Sequence, residues 1–336
     1  MTGKIFVDAM GGDQAPGVVI AGLAQAAPLL KAEVCVLGTN TQVTPLLKKY
    51  RNQLKNLQLE FIHCSEVVEM SDSPVQAVRH KKDSSIVRGM ILTKQTPNSA
   101  FFSAGHSGAV LAAALFHLGR IPGIERPAIA TALPTLRGHC ILLDAGANVD
   151  VRPNHYVEFA RMGWAYAKVL LKKDKPKVGI LSNGEEESKG TEFTRAANEL
   201  LKQETLIDYV GYVEGKDMMS GKVDVAVTDG FTGNIVLKSL EGLGRTVAAI
   251  IRSELERTIL TKIGTLFSMM ALKRVQKKLD YAEVGSAPLL GVDGNCFIGH
   301  GRSGARAIKN GIFRAQDALE LDLQPTIRQM FADVRN

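Results

Sequence analysis

Long apolar runs are missing from this chain. No stretch of its 336 residues reaches the roughly 18 consecutive apolar residues of a spanning helix. A secretory leader is not expected either, because the strand-like residues 5–7 meet Asp8 almost at once. Cysteine is sparse: Cys35, Cys64, Cys140 and Cys296 are scattered and lack metal-ligand spacing. That excludes a disulfide framework and points to buried free thiols in a reducing cytoplasm. There is a single tryptophan, Trp164, which is expected in the core. The seven histidines show no zinc spacing, so no metal is expected.

Three familiar motifs are also absent. Gly242-Leu-Gly-Arg-Thr-Val lies in a helical stretch and lacks the third glycine of a dinucleotide fingerprint. Residues 184–191 have Lys and Gly in the wrong order for a P-loop, and three glutamates would repel polyphosphate. Gly105-His-Ser-Gly108 is one residue short of a nucleophile elbow, so no covalent serine intermediate is expected. No cofactor is implied.

What the chain does contain is a repeated pattern. Residues 223–227 read as a buried strand running into Thr228-Asp-Gly-Phe-Thr-Gly-Asn234, with a helix from Ile235. Gly230 and Gly233 permit a tight bend or a close approach to a ligand. Thr232 and Asn234 can cap the helix or bind something at its N-terminus. Strand-like runs also lead into Asp8-Ala-Met-Gly11-Gly12-Asp13, Ser103-Ala-Gly105-His106-Ser107-Gly108 and Asp144-Ala-Gly-Ala-Asn148. Two more lead into Ser182-Asn183-Gly184-Glu185, followed by Lys189-Gly190, and into Gly299-His300-Gly-Arg-Ser303. Strands alternating with helices predict an α/β chain with a mostly parallel sheet, as one large unit or two lobes sharing a cleft. In such a sheet ligands bind outside the carboxyl ends of the strands. Six polar glycine turns on that edge predict a cleft, although each alone is consistent with simple turn architecture.

The formal charge is +7, unevenly spread. Residues 252–278 hold seven cations against Glu254 and Glu256. A basic patch implies an acidic partner, and nucleic acid is excluded because no aromatic platform interleaves with the charges. Within a long helical region spanning 235–279, Ile251, Leu255, Ile259, Ile263, Leu266, Phe267 and Met270 share one face. Core packing, a dimer seam and a helix lying on an anionic membrane all fit that face. A long helix is predicted from Pro74, carrying Arg79, Ser85 and Arg88, either as a solvated basic face or as a phosphate pocket. Residues 126–135 and 288–298 are each predicted as one strand, and helices are expected at 107–118, 156–171, 305–319 and 325–334.

These motifs together resemble the bacterial phosphate acyltransferases of phospholipid synthesis, the PlsX family. The matching stretches are 8–13, 103–109, 125–127, 142–148, 183–190, 211–215 and 229–234, in order over nearly the whole chain. The resemblance implies transfer of a fatty acyl group from acyl carrier protein to inorganic phosphate, giving acyl phosphate. It also implies a homodimer, peripheral association with the membrane, and a three-layer α/β/α fold like that of isocitrate and isopropylmalate dehydrogenases. Position 106, usually Asn in the family, is His here. On this reading the whole of 1–336 is one catalytic unit with a central cleft and a helical, basic excursion at 235–282. Asp229, Asn234, His106, Ser107 and Lys189 are the expected catalytic residues. Asp8, Gly11, Gly12, Arg79, Ser85, Arg88, Ser103, Gly105, Asn148, Asn183, Gly184, Gly230, Gly233 and His300 would hold phosphate or the acyl donor. Ile259, Ile263, Leu266, Phe267 and Met270 would meet the membrane. A coenzyme A-dependent phosphotransacetylase, a dehydrogenase on the related fold and a non-catalytic scaffold are the competing readings.

Overall fold

The computed structural model describes residues 3–279 and 283–332, the side chains of 276–279 excepted. The side chains of Lys277 and Lys278 and the expected end of the last helix at 334 lie outside what is described. The strands divide between two sheets rather than forming one. The first has seven strands, in the order β3 (Leu59–His63), β2 (Glu33–Gly38), β1 (Lys4–Asp8), β4 (Ser99–Ser103), β12 (Asn295–Ile298), β11 (Ala287–Leu290) and β5 (Ala128–Ile129). The second has five, in the order β6 (Thr131–Thr135), β7 (Gly138–Leu143), β10 (Val225–Val227), β8 (Lys177–Leu181) and β9 (Asp208–Val213). Pairing is parallel except at β12–β11, β11–β5 and β6–β7.

Alternation along the strands sorts side chains onto the two faces of each sheet. Ile5 and Val7 of β1, and Ile141 and Leu143 of β7, belong to one continuous central core. Helices α1 (Gly17–Ala26), α7 (Pro153–Leu171) and α12 (Ala305–Glu320) contribute Leu23, Phe159 and Ile308 to it. Phe6 of β1 and Phe101 of β4 point the other way, into a second core with Val87 of α5 (Ser85–Gln95) and Val110 of α6 (Ser107–Ala113). On the outer face of the five-stranded sheet, Cys140 and Leu142 pack with Met218 of α9 (Gly215–Ser220) and with Leu237 and Leu240 of α10 (Gly230–Glu256). Trp164 is half-buried against the central core, with Lys168 Nζ 4.8 Å from its ring centre.

Several elements differ from the sequence expectation. The helix from Pro74 stops at His80, giving a short α4 (Pro74–His80), and α5 begins afresh. Ser84 caps α5, its Oγ accepting the Val87 N–H at 3.4 Å. Residues 126–135 split because β5 and β6 join different sheets. Residues 288–298 fold back as antiparallel β11 and β12, with Gly291 in the left-handed region between them. The α10 helix starts at Gly230, not Ile235, because Asp229 is its cap. The helical region breaks near 257–258, where Thr258 Oγ1 accepts the Thr261 N–H at 3.1 Å and opens α11 (Ile259–Leu279).

Candidate active site

The carboxyl ends of β1, β4 and β12 lie side by side, so the turns after them meet. Asp8 closes β1 and is buried. Its Oδ2 accepts from Ser103 Oγ at 2.7 Å and its Oδ1 from the Met10 N–H at 2.9 Å. The Ser85 hydroxyl and the Gly11 N–H also reach this carboxylate. Burial pushes the Asp8 carboxyl up, and these donors pull it back. Ser103 Oγ in turn accepts the Gly105 N–H at 3.0 Å. A Cβ on Gly11 would stand 2.6 Å from both Asp8 Oδ2 and the Gly105 nitrogen, so only glycine fits there. The Asp13 N–H donates to Gly301 O at 2.8 Å and ties the first turn, with Gly12, to the one after β12.

The second sheet builds a matching edge. Asp144, after β7, is fully buried. Its carboxylate accepts from the N–H groups of Ile129, Gly146, Ala147 and Asn148 and from Asn148 Nδ2, at 2.7–3.1 Å. Burial pushes this carboxyl up, against the pull of its donors. Asn148 Nδ2 also donates to Pro127 O at 2.8 Å, and Asn148 O accepts the Gly230 N–H at 2.7 Å. The start of α10 thus sits directly on the Asp144 turn. A Cβ on Gly233 would lie 1.9 Å from Asp144 O, which makes this glycine a requirement of the contact.

Asp229 caps α10. Its Oδ1 accepts the Thr232 N–H at 2.7 Å and its Oδ2 the Thr232 hydroxyl at 2.8 Å. Neither Thr232 nor Asn234 is the cap: both lie in the first turn of the helix, because Asp229 already satisfies its leading donor. Tyr156 of α7 is buried beneath Asp229, and their side chains are hydrogen-bonded. Burial and the Asp229 charge both push the phenol up, so it stays protonated and donates. Tyr156 escaped the sequence reading because an inward Tyr on an amphipathic helix looks like any core residue. Asn234 is exposed beside Gly146.

The other expected residues divide between those the fold gathers and those it does not. His106 caps α6, its Nδ1 accepting the Ala109 N–H at 3.4 Å, which leaves Nε2 as the donor. Ser107 is exposed at the first position of that helix. Asn183 Oδ1 accepts the Gly190 N–H at 3.0 Å and shapes the loop after β8, which holds the buried Gly184. In that loop Glu185 pairs with Lys222 and Glu187 with Lys202, so two of the three glutamates are compensated. Lys189 is exposed and makes no ion pair among the described residues.

The expected trio of Arg79, Ser85 and Arg88 is divided between two helices. Arg79 is on α4, over the ring of Phe116 at 5.8 Å. Arg88 is on α5 and pairs with Asp83 at 2.5 Å. Ser65 chiefly, with Arg88, holds the Asp83 carboxyl down at about 2. Ser85 reaches the turns, through Asp8.

His300 belongs to the first sheet's edge. It is exposed in the turn after β12, and its Nδ1 accepts the Arg302 N–H at 3.1 Å. Partial burial, then the positive charges of Lys238, Arg302 and Arg245, push its imidazole below its ordinary range. Lys238 and Arg245 belong to α10, where Asn234, Lys238, Glu241 and Arg245 recur at helical spacing. Charges on that face therefore act on His300 in the first sheet's turns. The arrangement offers backbone donors at several helix starts, hydroxyl and imidazole donors, and cations on α10, which suits an anion and a developing oxyanion.

A family model described as "Fatty acid synthesis protein" matches residues 3–325. A protein of Syntrophotalea carbinolica named phosphate acyltransferase is 48% identical over 315 residues, covering 94% of this chain and 90% of that one. Among solved structures, a phosphotransacetylase from Streptococcus pyogenes superposes with a TM-score of 0.60 at 16% identity, covering 95% and 94% of the two chains. A putative 4-hydroxythreonine-4-phosphate dehydrogenase from Salmonella typhimurium gives 0.52 at 12% identity, covering 94% and 99%. These two likenesses bear out the α/β fold shared by phosphotransacetylases and dehydrogenases. The chain belongs to the fatty acid synthesis protein family, as a phosphate acyltransferase.

Proposed function

We propose that this enzyme moves a fatty acyl group from the thioester of acyl carrier protein to inorganic phosphate, releasing acyl phosphate and the free carrier thiol. What supports this reading is that each sheet ends in a glycine-lined cluster of turns, around Asp8 and around Asp144, with the charges of α10 near enough to act on His300. A phosphate oxygen attacks the carbonyl carbon, the C–O bond forms, and charge collects on the carbonyl oxygen. The oxyanion collapses, the C–S bond breaks and the thiolate takes up a proton. Phosphate is substantially dianionic near neutral pH, so positioning and charge stabilisation matter more than a strong base.

In this reading the Gly12 N–H and His106 Nε2 donate to the anion or the oxyanion, while Gly11 and Gly105 let the turns pack closely around it. Asn234 and Asp229 orient phosphate, Lys189 offsets its charge, and Asp8 and Asp144 hold the turns. The whole chain acts as one catalytic unit around this cleft. The basic α11 offers a surface for the acidic carrier protein and for anionic lipid. The exposed stripe of Leu243, Val247, Ile250 and Ile251 on α10 supports pairing of two chains.

The test is phosphate-dependent release of thiol from matched acyl carrier protein and coenzyme A thioesters. Acyl phosphate should form in equal amount to thiol, faster from the carrier protein. Preference for coenzyme A would overturn the donor assignment, and thiol release without phosphate would overturn the reaction.

A further inference from the structure

At the amino-terminal ends of β7, β8 and β10 lies a cavity of about 600 Å³. Its cations come from three separate segments. Arg137 is at the tip of the β6–β7 hairpin, Lys173, Lys175 and Lys177 lie where α7 passes into β8, and Lys222 precedes β10. Only two carboxylates, Asp174 and Asp224, share the wall. Asp224 is buried and already engaged, paired with Lys173 and accepting the Lys177 N–H at 3.0 Å. Lys222 is held by Glu185 at 3.1 Å and Asp217 at 3.3 Å. Arg137, Lys175 and Lys177 make no ion pair among the described residues.

Scattered exposed lysines would be an ordinary solvated surface. Here cations from a hairpin, a helix-to-strand link and a pre-strand turn converge on one concavity. Gathering like charges is unfavourable until an anion joins them. The volume falls within the small-molecule range of roughly 300–1,000 Å³, but the polar wall does not suit an apolar ligand. One guanidinium with two ammonium groups matches a ligand carrying several charges close together. From Asp224 to Asp229 the chain runs five residues along and beyond β10, roughly 17 Å if extended, so this cavity stands apart from the Asp229 turn, although Lys222 on its rim reaches Glu185 of the loop after β8. We propose that the cavity is a second anion site, binding a small soluble ligand with at least two phosphoryl groups.

The test is calorimetric titration of the full chain with inorganic tripolyphosphate, in orthophosphate buffer that occupies the catalytic turns. Wild-type protein should bind one equivalent. The exposed triple change R137A/K175A/K177A should weaken binding by about tenfold or more. A control that removes three exposed lysines elsewhere, K48A/K49A/K55A, should bind as the wild type does. The single change Lys175→Glu at an exposed position gives the same reading should the triple variant not fold. No saturable binding by the wild type, or equal affinity in the pocket variants, would overturn the proposal.

Discussion

A carboxylate that caps a helix and one that orients a nucleophile make different demands, and the geometry of Asp229 meets the first. Its two oxygens take the Thr232 N–H and hydroxyl, and Tyr156 donates from below. Asn caps a helix about as well as Asp, whereas Ala forfeits about 1 kcal/mol. Asp229→Asn should therefore unfold at nearly the wild-type temperature. If Asp229 also orients phosphate, its turnover should fall by about 10²-fold, the scale of a lost positioning or proton-transfer group. Calorimetry and initial rates on the same preparation separate the roles. Normal turnover in a stable Asp229→Asn enzyme would leave only the cap. The exposed Asn234, one turn along, has no cap to keep, so Asn234→Ala reads the site alone.

The helices α10 and α11 carry the clearest unmet packing demand. Along α10, Val236 and Leu240 rest on the five-stranded sheet, and the apolar stripe then continues outward through Leu243, Val247 and Ile250. On α11, Ile259, Ile263, Leu266, Phe267 and Met270 share one face, and Phe267 is 87% exposed. Lys262, Lys273 and Arg274 are exposed on the same helix. Apolar area with flanking cations is what an interfacial helix needs. Phe267→Glu should leave a folded, active enzyme that no longer co-sediments with anionic vesicles, and added salt should weaken the wild type's binding. Loss of fold or of oligomeric state in that variant would instead mark the face as protein–protein contact.

The stripe on α11 was legible in sequence because helical periodicity survives without a partner. The break before Ile259 was not, because a Thr that caps a helix looks the same as one within it. The glycine turns were legible for a related reason: a strand end followed by Asp and Gly has few other uses. Their partition into two edges was not. It depends on β5 and β6 entering different sheets, and nothing in the apolar run 128–133 marks the crossing. Nor did periodicity warn that Arg79 and Arg88 would sit on separate helices, since the Ser84 cap is visible only once its hydroxyl is seen on the Val87 N–H.

At the scale of the whole molecule, two sheets raise the question of whether they fold as one body. The central core answers in packing terms. Ile5, Val36 and Phe102 from the first sheet, and Ile141, Ile180 and Val227 from the second, belong to one uninterrupted apolar cluster. Opening either sheet exposes the other's inner face, which favours a single cooperative transition. The thiols report on it. Cys35, Cys64 and Cys296 lie in the outer core of the seven-stranded sheet and Cys140 in that of the five-stranded sheet. Burial pushes Cys35 and Cys140 up to about 12, Cys64 to about 11, and Cys296 higher still. The thiolate is the reactive form, so near pH 8 none should alkylate in the folded protein, and unfolding should release all four. Pulsed alkylation across a urea series, read by peptide mass spectrometry, should give one midpoint for Cys140 and the other three. Two separated midpoints would show that each sheet holds its own fold.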